Sequence, residues 1–335
     1  MDAGAAEIAA WLREVGLAGA RETPVVTALS GGVSSDVYRV DLAAGPICVK
    51  RALAQLRVAA DWRAPVERSA NEAAWLRTAA DLGGLVVPRV LAEDASRHLF
   101  AMSWFDPADH PVWKTELAAG RIDPAFAARV GGGLARIHAR TAGSETLARR
   151  FATGRLFADL RIDPYLRRTA ERHPDRADRI EAIARSTLAI RRALVHGDVS
   201  PKNILVGRSG PVLLDAECAW YGDPAFDIAF CANHLLLKSV WKPHFAAGFH
   251  EAFGELVRGY LGGVDWEPGS DLDRRAAALL SALLLARIDG KSPVEYLTSH
   301  EDKAQVRAAA REMLATDLDG LAEAAAMFHE ARRNT

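Results

Sequence analysis

The residues best suited to chemistry stand in LVHGDVSPKNILV, residues 194–206, where Asp198 and Asn203 lie five positions apart at the mouth of an apolar run. A second apolar run, 212–215, ends in Asp215, and the GRSGP segment between the two is a hairpin signal. With Val206 opposite Val212, Asn203 would face Asp215 at the open end of that hairpin. An amide oxygen beside a carboxylate makes a hard oxygen site for Mg²⁺, which takes one or two carboxylates and completes its shell with phosphate oxygens and water. Asp198, in a loop stiffened by Pro201, would then accept a proton from an attacking hydroxyl and orient it. A hairpin with a polar rim could use the same residues for turns alone, so the weight comes from what stands upstream.

There, SGGVSSDVY, residues 30–38, links two strand-like runs with small residues. At Gly31 and Gly32 no side chain would block backbone N–H groups from phosphate oxygens, and the Ser34 hydroxyl could add a donor. Lys50 closes a third strand, and alternation turns it to the face opposite Ile47 and Val49, within reach of a phosphate. Glu72, on the helix that follows, can pair with it and hold the ammonium in place.

The elements that must position these residues are legible from periodicity. Residues 1–17 suit an amphipathic helix; 25–29, 37–42 and 47–51 read as strands; 69–80 read as a helix with Ala73, Leu76 and Ala80 on one stripe, stopped by Gly83-Gly84. Two short apolar runs, 86–91 and 98–104, complete a small sheet. Proline, aspartate and tryptophan crowd into DPADHPVWK, 106–114, and almost everything beyond is helical in period apart from 194–215. The expectation is an α+β chain. A small strand-rich lobe spans 1–105, a hinge lies at about 102–110, and a larger helical lobe spans 106–335.

The gross composition agrees with two lobes, since 335 residues, half of them hydrophobic, exceed what one core usually serves. A net charge of -1 points to neither nucleic acid nor an acidic membrane surface as a partner. Cys48, Cys218 and Cys231 form no CxxC pair and sit in apolar runs, which fits buried thiols in a reducing compartment. The N-terminus lacks the basic and apolar regions of a signal peptide, and the most apolar window, 276–288, is too short to span a bilayer. A cytoplasmic location is expected.

The ordered set Gly31-Gly32, Lys50, Glu72, LARIHA (134–139), HGDVSPKN (196–203), DAE (215–217) and GDPAFDIA (222–229) resembles the aminoglycoside phosphotransferase and choline kinase superfamily of protein-kinase-like small-molecule kinases. The resemblance runs over roughly residues 25–300. It implies a protein-kinase-like fold with an antiparallel N-terminal sheet, ATP and Mg²⁺ as cofactors, and a hydroxyl of a small metabolite as acceptor. It implies Asp198 as catalytic base, Asn203 and Asp215 as magnesium ligands, Glu217 as a second acid, and Lys50 on the α- and β-phosphates. The hinge maps to 102–105, with backbone groups of Ser103 and Phe105 offered to adenine, while His138 and Asp227 match positions that brace the catalytic loop. Two departures tell against a protein kinase: the phosphate loop lacks GxGxxG, and Ser200 stands where protein kinases carry a lysine.

Two segments outside the nucleotide motifs, FADLRIDPYLRRTA (157–170) and LLARIDGKSPVEYL (284–297), place Arg161, Arg287 and Asp289 among apolar residues as candidate acceptor contacts. Such a set suits a neutral or anionic hydroxyl compound. The stretch DAECAWYGDPAFDIAF with the following NHLLLK is similar to methylthioribose kinases, which makes a sugar of that kind the specific expectation. An aminoglycoside-modifying kinase is an alternative, although its acceptor would call for acidic residues and the C-terminal FHEARRNT is basic. A silent nucleotide-binding module is another, although none of Lys50, Asp198, Asn203 or Asp215 is missing.

Overall fold

A computed structural model describes residues 3–29, 34–53, 55 and 65–333. The chain is α+β and divides into two compact units, one of residues 1–81 with 87–107 and one of 82–86 with 108–335.

In the first unit, helix α1 (Ala3–Glu14) precedes strands β1 (Val25–Leu29), β2 (Ser35–Leu42) and β3 (Gly45–Ala52), then helix α2 (Arg68–Leu82) and strands β4 (Val90–Asp94) and β5 (Leu99–Ser103). The five strands are antiparallel in the order β1-β2-β3-β5-β4. Alternation sorts the faces of β3. Ile47 and Val49 join Tyr38, Val40, Leu99 and Ala101 in a core that also takes Ile8, Trp11 and Leu12 of α1. Lys50, one residue on, points to the other face and reaches Glu72 of α2. The run 86–91 does not begin a strand at Val86. Pro88 offers no N–H for a ladder, and Val86 instead bridges Val212 in the second unit, its carbonyl accepting from Leu213 N at 3.1 Å.

The second unit is mainly helical. Helix α3 (Pro124–Thr141) crosses a later helix, α5 (Ala246–Leu261), so closely that only glycine fits on either side. A Cβ on Gly131 would lie 2.1 Å from the Leu256 carbonyl oxygen, and one on Gly259 would lie 2.3 Å from that of Ala128. Helix α4 (Ala225–Trp241) is buried from Ala225 to Val240, and α6 (Gly269–Asp289) is buried over most of its last four turns. Between α3 and α4 lie two small antiparallel ladders: β6 (Ala193–Val195) with β9 (Trp220–Gly222), and β7 (Ile204–Gly207) with β8 (Gly210–Leu213). The sequence reading did not foresee β9, because three residues are too few to display an alternation. The segment Ala158–Arg167 winds as a π-helix containing Pro164. No described helix is long and apolar enough to cross a membrane.

Candidate active site

The hairpin that carries Asn203 and Asp215 forms in a different register from the expected one. Leu205 faces Val212 and Val206 faces Pro211, so Gly207 and Gly210 close a two-residue turn. Asn203 therefore stands opposite Leu214, whose N–H donates to its carbonyl at 2.9 Å. A one-residue slip exchanges the faces of a strand. Asp215 leaves the ladder in the left-handed region, at φ 70, a conformation that few non-glycine residues adopt outside functional sites. Its charge nevertheless acts on Asp198, Lys202 and His196, so the carboxylate belongs to the same cluster.

Asp198 is the hub of that cluster. It is 3 % exposed, and its carboxylate accepts from Asn203 Nδ2 at 2.8 Å while pairing with Arg161 Nη2 at 3.0 Å and Lys202 Nζ at 3.2 Å. Burial by itself would raise its pKa. Arg161 and Lys202 outweigh that burial and the repulsion from Asp215, and hold the carboxyl below the usual carboxylate range. A carboxylate kept ionised in this way accepts a hydrogen bond from a hydroxyl and aims it without taking the proton early.

The loop under Asp198 is fixed from behind. Gly197, at φ 80, has no room for a Cβ, which would lie 2.7 Å from the Cys218 carbonyl oxygen. Its N–H and that of His196 both donate to Asp227, each at 2.8 Å, and Asp227 also meets His138 Nε2 at 3.2 Å. His138 Nδ1 contacts the Tyr260 hydroxyl at 2.8 Å. Asp227 and His138 are buried and touch backbone and each other, so they hold the loop in shape. His196 Nδ1 accepts from Asp198 N at 3.1 Å while Nε2 lies 3.1 Å from the Leu214 carbonyl, an arrangement that suits a neutral ring. Burial pushes its pKa down accordingly. Asp223, in the GDP turn, accepts from Ala225 N at the start of α4 and is paired with Arg275.

Arg161, expected to contact the acceptor, is bound to the loop. The π-helix presents its guanidinium to the Gly197 carbonyl at 2.7 Å, to the Leu160 carbonyl at 2.8 Å and to Asp198. Insertions of this kind break helical period and often mark functional segments. Asp289 likewise meets protein groups, with Arg307 at 2.7 and 2.8 Å and His173 at 2.9 Å, as a brace between helices. Arg287 donates through Nη1 to the Tyr165 hydroxyl at 3.4 Å, to the Ser292 hydroxyl at 3.1 Å and to the Ser292 carbonyl. Lys202 was not singled out from the sequence. Its position four residues after Asp198, one turn on in a short 3₁₀ segment, was the available signal.

In the first unit, Lys50 and Glu72 form a buried pair at 2.6 and 2.9 Å, with side chains 8 % and 3 % exposed. Buried Arg68, also not foreseen, donates to the carbonyls of Ser34, Leu53 and Pro65 and so ties the end of the small-residue loop to α2. Ser34 is buried, whereas Gly31 and Gly32 lie outside the described residues. Ser103 exchanges backbone and side-chain hydrogen bonds with Arg89 at 2.9 and 3.0 Å, and Phe105 follows it just past β5.

The donor chemistry in the second unit fits a hard divalent cation. Asn203 spends its amide nitrogen on Asp198, leaving its oxygen to face other partners, and Asp215 repels Asp198 as like charges do. Glu217, buried at 6 %, adds its negative charge at Arg161. Two carboxylates and an amide oxygen around a point of mutual repulsion are what Mg²⁺ relieves. Among the described residues there is no group of three or more His, Cys, Asp or Glu arranged to hold a metal by themselves, so such an ion would depend on the amide and on phosphate oxygens.

The chain is 29% identical over 238 residues to methylthioribose kinase of Yersinia pseudotuberculosis, an alignment covering 63% of this chain and 58% of that protein. It thus spans less than two thirds of the relative it matches. A choline/ethanolamine kinase family protein of Mesorhizobium loti superposes with a TM-score of 0.55 at 18% identity, covering 98% of this chain and 99% of that one. An ethanolamine kinase of Plasmodium vivax gives 0.52 at 12%, covering 92% and 82%. These two establish likeness of fold. The model of the phosphotransferase enzyme family matches residues 25–272, most of the chain, and the protein belongs to that family.

Proposed function

We propose that the protein is an ATP- and Mg²⁺-dependent kinase that moves the γ-phosphoryl group of ATP to a hydroxyl of a small metabolite. The observation that carries this reading is the Asp198 carboxylate, buried, ionised and held by Arg161, Lys202 and Asn203 beside Asp215. Asp198 accepts the hydrogen bond of the acceptor hydroxyl and aims its oxygen, and takes the proton as the bond to phosphorus forms. Lys202, half exposed, extends a positive charge beside that carboxylate toward the transferring group. Lys50, kept in place by Glu72, holds the α- and β-phosphates, with Ser34 beside the phosphates and Ser103 and Phe105 meeting the adenine. Asn203, Asp215 and Glu217 would hold the magnesium, which would supply charge neutralisation at the phosphate oxygens.

Methylthioribose belongs in the panel as the neutral-sugar candidate, because relatives bearing that name match this chain. Three buried thiols without disulfides support a reducing, cytoplasmic setting. The test is ADP release with Mg·ATP over a panel of sugars, hydroxy acids, amino alcohols and aminoglycosides. Asp198→Ala should abolish release while leaving nucleotide binding within a few-fold of wild type. A variant with near wild-type turnover would remove Asp198 from the mechanism, and a wild-type protein that does not bind Mg·ATP would remove the kinase reading.

A further inference from the structure

Helix α4 carries His234 and Lys238 one turn apart, both buried. The Lys238 ammonium has no hydrogen-bond partner among the described residues; what surrounds it are the rings of Tyr296 at 4.3 Å and Trp241 at 5.1 Å. The Tyr296 hydroxyl and Arg287 Nε are buried and unpartnered in the same sense. Glu295 is the carboxylate whose charge acts on Lys238, and it is already paired with Lys114. Aromatic faces offset only part of the cost of burying a cation. Burial accordingly pulls the Lys238 pKa down to about 8. Groups held at such cost without an internal partner mark sites where a ligand completes the set.

This cluster adjoins the catalytic loop. Arg161, paired with Asp198, lies 5.9 Å over the rings of both Tyr165 and Phe230. Tyr165 in turn carries Arg287 at 5.5 Å, and Phe230 meets the His234 ring at 5.5 Å. The charges of Arg287, Lys238 and Lys202 all reach His234. A chain of ring and charge contacts thus runs from Asp198 to Lys238, and apart from Glu295, which acts on Lys238 and Arg287 and is paired with Lys114, the charges named along it beyond Asp198 are positive.

We infer that Lys238, Arg287 and His234 bind an anionic group of the acceptor, a carboxylate or a phosphate, so that the substrate is a hydroxylated acid or phosphate ester rather than a neutral sugar or an amine. The inference rests on the kinase reading and names its acceptor class. An amine would meet like charge along this chain of contacts, and a neutral sugar would leave Lys238 only the charge of Glu295, which Lys114 already engages.

Calorimetric titration of D-glycerate, inorganic phosphate and glycerol, at fixed ionic strength with Mg·ADP present, tests it on wild type and Lys238→Met. At least one of the two anions should bind wild type saturably and Lys238→Met at least tenfold more weakly, with glycerol binding neither. Methionine fills a similar volume without a buried charge, so the variant should be no less thermostable. His234→Gln is a second variant expected to weaken the same anion. Equal anion affinity in wild type and both variants, or no anion binding to wild type, overturns the inference. The parent reading fails separately: anion binding lost with Lys238 in a protein that binds no Mg·ATP would keep the anion site and sink the kinase. Asp198-dependent ADP release with neutral acceptors alone would do the reverse.

Discussion

Replacing Arg161 with methionine separates its role as a brace of Asp198 from a role in holding the acceptor. The guanidinium is 7 % exposed and supports three groups at once: Asp198 at 3.0 Å and the carbonyls of Gly197 and Leu160 at 2.7 and 2.8 Å. Removing one partner of a buried ion pair costs about 3–5 kcal/mol, mostly through the charge left behind. Lys202 still neutralises part of Asp198, which places the loss toward the lower end, roughly 3 kcal/mol. For a unit of this size that corresponds to a fall in Tm of about 6–12 °C. The pH dependence is more diagnostic. Arg161 is the leading cause holding the Asp198 pKa down against burial, so its loss raises that pKa. A carboxylate with a depressed folded pKa contributes stability that is present above its unfolded pKa and is lost as pH falls through the folded pKa. In Arg161→Met the acid limb of kcat/KM should therefore move to higher pH, and acid unfolding should begin earlier. The assays are pH–rate profiles of ADP release and melting curves from acid to neutral pH. An acid limb that stays in place with a Tm within 2 °C of wild type would refute the reasoning. A raised acceptor KM with an unmoved limb would instead put Arg161 on the acceptor.

Lys50→Met should weaken Mg·ATP binding at least tenfold and destabilise the first unit by about 3 kcal/mol by removing the buried cation paired with Glu72; the double variant with Glu72→Gln should recover much of that stability but none of the binding, as read by calorimetry and thermal melts. Asp215→Ala should lower nucleotide affinity in a manner that depends on magnesium concentration, and an unchanged affinity across a magnesium titration would contradict its role as a ligand. Gly197→Ala should cost about 1–3 kcal/mol and activity together, because its left-handed backbone and the Cys218 carbonyl at 2.7 Å leave no room for a methyl group; a fully active, equally stable variant would show that the loop can shift.

Local chemistry was readable where it needed only order and spacing. The motifs HGDVSPKN, DAE and GDPAFDIA lie within about thirty residues of one another, so their relation survives without knowledge of the fold, and strand alternation alone turned Lys50 away from Ile47 and Val49 toward Glu72. The hairpin register was beyond that reach. Arg208 and Ser209 make a two-residue turn, and the one-residue difference this imposes sets Asn203 opposite Leu214. Asp215 is then restored to the cluster by a left-handed backbone that no pattern of residue types announces. Arg161 shows the same limit, since a helical period cannot reveal a π-helix or the carbonyls it will meet thirty-six residues away.

What the amino-acid order determined by itself is therefore the α+β architecture and the family, together with the candidate residues proposed for phosphate, metal and hydroxyl, because these depend on periodicity and on short-range spacing. What only the tertiary structure decided is which charges those residues meet. Arg161 and Lys202 converge on Asp198, Asp289 is taken by Arg307, and Lys238 is buried with no hydrogen-bond partner among the described residues. Electrostatic partnership falls off over a few ångströms and depends on burial. It is set by where distant segments pack.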